Sequence, residues 1–111
     1  MFGFSKPPHF HIRKRMPQHA LLTYQVVEAF AATQVQDIPE TEREIIISVV
    51  MSTWACRTSS TGAFQLSQGD FKYILVAGVN CFKVLSPVLQ RRCDSIVEKL
   101  VERKMMEPLE E

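Results

Sequence analysis

The chain has 111 residues, 46% of them hydrophobic and 23% charged, and a formal net charge of +1. That length carries one core and one domain, and the composition belongs to a folded chain, not a disordered one. The near-zero charge excludes a bulk field for nucleic acid or anionic lipid, so any such surface has to come from local clustering.

No apolar run reaches the ~18 residues that a membrane-spanning helix needs. Lys6, Pro7 and His9 interrupt any leader-like apolar stretch near the N-terminus. The expectation is a protein without a membrane partner. Cys56, Cys81 and Cys93 are odd in number and fall inside apolar helical patterns, with no Cys-x-x-Cys pair. They read as reduced, core-facing thiols, which places the chain in a reducing, cytoplasmic compartment.

Residues 1–16 read as an extended basic arm, and 17–111 as the helical domain. Pro7 and Pro8 forbid helix in the arm. Arg13, Lys14 and Arg15 form a basic run beside Phe10 and Ile12, suited to phosphates or an acidic partner. His9 and His11 lack a third ligand nearby and make a poor metal site.

Pro17 suits the first turn of a helix over 17–34. Leu22, Val26, Ala29 and Phe30 recur at helical spacing and predict its packing face. Segment 34–39 reads as a linker. Thr41-x-x-Glu44 has the form of a capping box opening the next helix, with Glu40 and Glu42 suiting its positive end. From Ile45 to Cys56 almost every direction around that helix is apolar, and only Ser48 and Ser52 mark a wet stripe. A helix apolar nearly all round is either central or covered by a partner. In a chain this short, the pattern predicts a subunit interface.

The stretch 57–62 (RTSSTG) is turn-rich and ends the helix. Ser67-x-x-Asp70 has the form of a second capping box and predicts a helix over 68–85, with Phe71, Ile74, Leu75, Val79 and Phe82 on one face. The β-rich composition of 71–77 and 81–85 offers a hairpin as the competing form. Ser86-Pro87 opens a last helix. Leu89, Cys93, Ile96 and Leu100 make its apolar stripe, Arg91, Asp94, Glu98 and Glu102 its wet side, and Pro108 its end.

The fold class expected is therefore all-α: a single domain of four helices with a basic N-terminal arm. Catalytic residues are not expected. Gly62 and Gly69 stand alone and form no phosphate loop, and no nucleophile elbow is present. His19 with a cysteine could be drawn as a base–nucleophile pair, but all three cysteines fall on packing positions.

Trp54 near the end of an apolar helix, Gly62 in a polar loop, Phe64-Gln65-Leu66-Ser67-Gln68-Gly69-Asp70, Phe82, and the run Cys93 to Leu100 together resemble the calgranulin/calcyclin family of small dimeric EF-hand proteins. The resemblance covers about 41–100. It implies EF-hand-like helix pairing and a dimer that binds protein partners. It also places Asp70 where that family has a bidentate Glu. Calcium needs six to eight oxygens, and Asp is one methylene short for that reach. The second loop would fall at 101–111, where Val101, Arg103 and Met105 occupy the first ligand positions. The expectation is no metal and no cofactor, with Asp70 the only candidate ligand.

A second set of segments, Thr41 to Glu44, Leu66 to Phe71 and Ile96 to Glu107, resembles winged-helix regulators of the multiple-antibiotic-resistance type. That resemblance implies DNA binding, with Arg91 and Arg92 entering a major groove and Arg13, Lys14 and Arg15 adding phosphate contacts. Acidic residues at the wing position (Glu107, Glu110, Glu111) oppose phosphates.

The function expected is a non-catalytic helical interaction module. It forms a homodimer through the apolar sides of 40–57 and 70–85 and binds a protein partner. Ile46, Val50, Trp54, Phe71 and Phe82 are its interface residues. The alternative is the DNA-binding regulator.

Overall fold

The computed structural model describes residues 16, 18–59, 67–106 and 108. They form four α-helices: α1 (Gln18–Thr33), α2 (Glu40–Ser59), α3 (Gln68–Lys83) and α4 (Pro87–Glu102). No strand occurs among the described residues. The chain is all-α, and 71–85 forms helix and a turn, not a hairpin. The local start signal decided that competition. Ser67 takes an extended conformation and its Oγ accepts from the Asp70 amide at 3.1 Å, satisfying one of the donors a helix start leaves open.

All four helices share one core, and α2 is its axis. Each of the other three packs on α2, α3 most extensively, then α4, then α1. Ile46, Val50 and Met51 are fully covered, and Trp54 retains 2% exposure. This corrects the expectation of a subunit interface at Ile46, Val50 and Trp54. Three neighbouring helices and two turns surround α2, so a second copy is not needed to cover it.

Part of the reason lies in Ser48 and Ser52, which are buried and not the wet stripe expected. Ser52 lies where α2 meets α3. Its Oγ donates to the Ile74 carbonyl at 3.0 Å, and Gly78 sits so close that an added Cβ would overlap its side chain. Small residues on both helices let the backbones approach, and the hydroxyl finds a carbonyl in place of water.

The face of α1 is also corrected, except at Phe30, which packs on the edge of the core as expected. Leu22 and Val26 are 58% and 60% exposed, and Ala29 is exposed as well. Ala20, Tyr24, Val27 and Ala31 face the core instead. This helix carries apolar residues on both sides, so periodicity alone admits two faces. The side that packs combines small residues, which allow close approach, with Tyr24, whose ring meets Trp54 edge-on at 5.6 Å and 77°.

The linker is more structured than its composition suggested. Val35 and Ile38 point into the core. The Arg43 guanidinium donates to the carbonyls of Ile38 (3.0 and 3.3 Å) and Gln36 (3.4 Å). Helix α2 then begins at Glu40, with the Arg43 amide donating to the Pro39 carbonyl at 2.8 Å. Pro39, not Thr41, therefore stands at the cap, and Thr41 lies in the first turn.

Helix α4 matches its expected stripe: Cys93, Ile96 and Leu100 are buried, and Leu89 packs on their edge. It ends at Glu102, well before Pro108. The amide of Met105 donates to Leu100 O at 2.9 Å, and that of Lys104 to Val101 O at 3.0 Å. Lys104 has a φ of 59°. This is a Schellman ending with lysine at the left-handed position that usually holds glycine. The turn folds back over α2. Trp54 Nε1 donates to the Met105 carbonyl at 2.9 Å, and Met106 is buried.

Candidate docking surface

Among the described residues, the outward side of α3 is left open by the packing, as are Leu22 and Val26 on α1. Only Ile74 and Gly78 of α3 are fully buried. Phe71, Cys81 and Phe82 are half-buried beside them. Leu75, Val76 and Val79 are 42%, 48% and 47% exposed. The pattern follows from a helix with more apolar residues than one packed face can take. Ile74 and Gly78 form the seam with α2, and the β-branched and leucine side chains that follow around the helix point outward.

Lys72 and Lys83 are exposed and complete this surface. Lys72, Val76, Val79 and Lys83 follow one another at four-, three- and four-residue steps, so they line one ridge of the helix. Leu75 lies alongside Val79. A rise of 1.5 Å per residue sets the two lysine positions about 16 Å apart along the axis. The only acid in α3 is Asp70, in the first turn. The outward side is thus apolar in the middle and cationic at both ends. Beyond it, Val84 and Val88 at the α3–α4 turn are 64% and 63% exposed.

Of the expected interface residues, Phe71 and Phe82 border this surface, and Ile46, Val50 and Trp54 do not reach it. Leu75, Val76 and Val79 were absent from that expectation. Leu75 and Val79 had been assigned to a packed face. The signal that could have found them is the pair Ile74 and Gly78, which fixes the inward direction of α3.

The expected nucleic-acid contacts separate. Arg13, Lys14 and Arg15 lie outside the described residues. Arg92 is engaged within the chain. Its guanidinium meets both Asp37 carboxylate oxygens at 2.9 and 3.0 Å and donates to the Gln34 carbonyl at 3.2 Å. That pairing holds the Asp37 carboxyl below the usual range, through the hydrogen bond first, and raises Arg92 further. Lys99 donates to Gln34 Oε1 at 2.9 Å, so α4 clasps the α1–α2 turn twice. Arg92 is a clasp residue, not a free groove contact. Arg91 is exposed, but the same helix exposes Asp94, Glu98 and Glu102. Those carboxylates would oppose phosphates.

Among the described residues no group of three His, Cys, Asp or Glu side chains is placed to hold a metal ion. Asp70 closes the first turn of α3, where its amide bonds to Ser67. The loop that would have supplied the remaining ligands of an EF-hand, 60–66, lies outside the described residues, as does the His19 side chain. Burial pushes the thiols of Cys56 and Cys81 up, and that of Cys93 up to about 12. Thiols held protonated in this way are weak nucleophiles. None of the three is joined in a disulfide. No helix among the described residues is long and apolar enough to cross a membrane.

No protein-family model, no curated protein and no solved structure matches this chain.

Proposed function

We propose that the protein is a non-catalytic docking module whose outward α3 face binds a protein partner. The observation that supports this reading is the ridge Lys72–Val76–Val79–Lys83 with Leu75 beside it, left open on a helix whose other side is packed. Covering the remaining half of three aliphatic side chains would contribute about 3 kcal/mol. Phe71 and Phe82 border the site and would close over its edge. The apolar α2, which first suggested self-association, is consumed as the core, so the homodimer loses that support and the partner-binding part of the expectation is kept. Thiols held protonated by burial favour recognition over thiol chemistry. Three cysteines held out of disulfides fit a reducing, cytoplasmic setting.

The test is photo-crosslinking from a benzoylphenylalanine placed at Val76, with the same group at Glu98 as control. The expected result is a discrete adduct from position 76 that disappears when Leu75→Asp is added. Equal labelling from both positions, or a position-76 adduct indifferent to Leu75→Asp, would contradict the reading.

A further inference from the structure

We propose that the occupant of α3 is an acidic amphipathic helix, its apolar stripe covering Leu75, Val76 and Val79 and its carboxylates meeting Lys72 and Lys83. This rests on the docking reading above and adds the chemistry of the partner. A helix lying along α3 at the usual 8–10 Å axial separation would bring side chains three turns apart to the two lysines. A partner carrying Asp or Glu at those places complements the cationic ends. A basic partner would be repelled at both.

A second copy of this chain fits poorly. Antiparallel pairing of α3 on itself sets each lysine end against the other, and parallel pairing sets like against like. Helix α4 has the right charge in Asp94, Glu98 and Glu102, but Val88 is its one large exposed apolar residue. It would leave Leu75, Val76 and Val79 uncovered. An anionic membrane fits less well too. Interfacial helices present a cation-rich polar face beside a continuous apolar one, whereas this face offers two lysines.

The experiment is a selection of displayed helical peptides on the full-chain protein. Each peptide is 16 residues long, with a fixed leucine stripe and charge positions randomised among Glu, Lys and Gln. Counter-selection uses Val79→Asp. The enriched peptides should be acidic. Their binding should fall at least about tenfold with Lys72→Glu/Lys83→Glu, weaken with added salt, and vanish with Val79→Asp. Thermal melts of the variants should match the parent, because all three positions are exposed. Should Val79→Asp disturb the fold, Leu75→Gln/Val76→Gln serves in its place.

Enrichment of neutral or basic peptides that still need Val79 would overturn the acidic partner and leave the docking face standing. Peptides indifferent to Val79→Asp, or no enrichment over that variant, would overturn both. Val79-dependent binding to phosphatidylserine vesicles, or a Val79-dependent rise in solution mass, would replace the acidic helix with a membrane or a second copy.

Discussion

Gly78 and Ser52 form a close contact between α3 and α2, and it limits how near the two helices can lie. A Cβ at Gly78 would overlap both Oγ and Cβ of Ser52. Rotating the hydroxyl cannot relieve the second overlap, so the helices must part. Gly78→Ala should cost about 2 kcal/mol in urea unfolding despite the better helix propensity of alanine. Adding Ser52→Gly removes the obstructing atoms and should recover part of that loss, which a double-mutant cycle reads directly. Lys104 poses the opposite case. Its left-handed backbone is strained for a residue with a Cβ, so Lys104→Gly should raise stability by about 1 kcal/mol.

Cys93 gives a pH signature. Burial, with a smaller contribution from the Asp94 carboxylate, pushes its thiol up to about 12, whereas an unfolded thiol ionises near ~8.5. Between those values the unfolded chain releases a proton that the native chain keeps. This contribution is therefore full below the unfolded value and is lost as pH rises toward the native one. Cys56 and Cys81 are shifted in the same direction by burial. Unfolding measured from neutral to alkaline pH should show a decline that is shallower in Cys93→Val. Equal slopes would mean that Cys93 titrates alike in both states.

At the scale of the elements, helix starts were legible where a side chain makes the cap. Ser67 and Ser86 both accept an amide at the start of their helices. The start of α2 was not, because a backbone carbonyl at Pro39 does that work and Thr41 only resembles a cap. The end of α4 was missed for a related reason. A Schellman turn without glycine has no residue signature, and Pro108 offered a more visible stop. Faces were legible when a helix has only one. Helix α4 has one, and its stripe was read correctly. Helix α1 has two, and the choice between them lies in what α2 presents to it, Trp54 above all, which periodicity cannot see. The corrected face has a direct check. Val26→Gln should change stability by less than about 0.5 kcal/mol, while Val27→Ala should cost about 2 kcal/mol. Reversed effects would restore the original face.

The proposed docking surface is half legible by the same logic. Phe71 and Phe82 stood out by type, but the ridge between Lys72 and Lys83 emerges only once Ile74 and Gly78 show which way α3 turns.

At the scale of the whole molecule, the informative feature of the chain is an excess of apolar helix. Its placement decides what the protein can do. If α2 needed a second copy to cover it, the recognition surface would be that interface. Instead, α1, α3, α4 and the turns at 34–39 and 103–106 spend their inward faces on α2. The surplus then appears on the outer sides of α1 and α3, and on α3 it has lysines at both ends, which is the surface proposed above for a partner. Trp54 is the chain's single tryptophan, and it lies at the centre of this arrangement, with its ring against Tyr24 and its Nε1 bonded to the turn after α4. Its emission therefore reports the central claim without a label. As the protein is diluted from high micromolar to low nanomolar concentration, the emission should stay blue-shifted and poorly quenched by acrylamide. A red shift, or quenching that rises on dilution, would show that a second copy had been sealing α2.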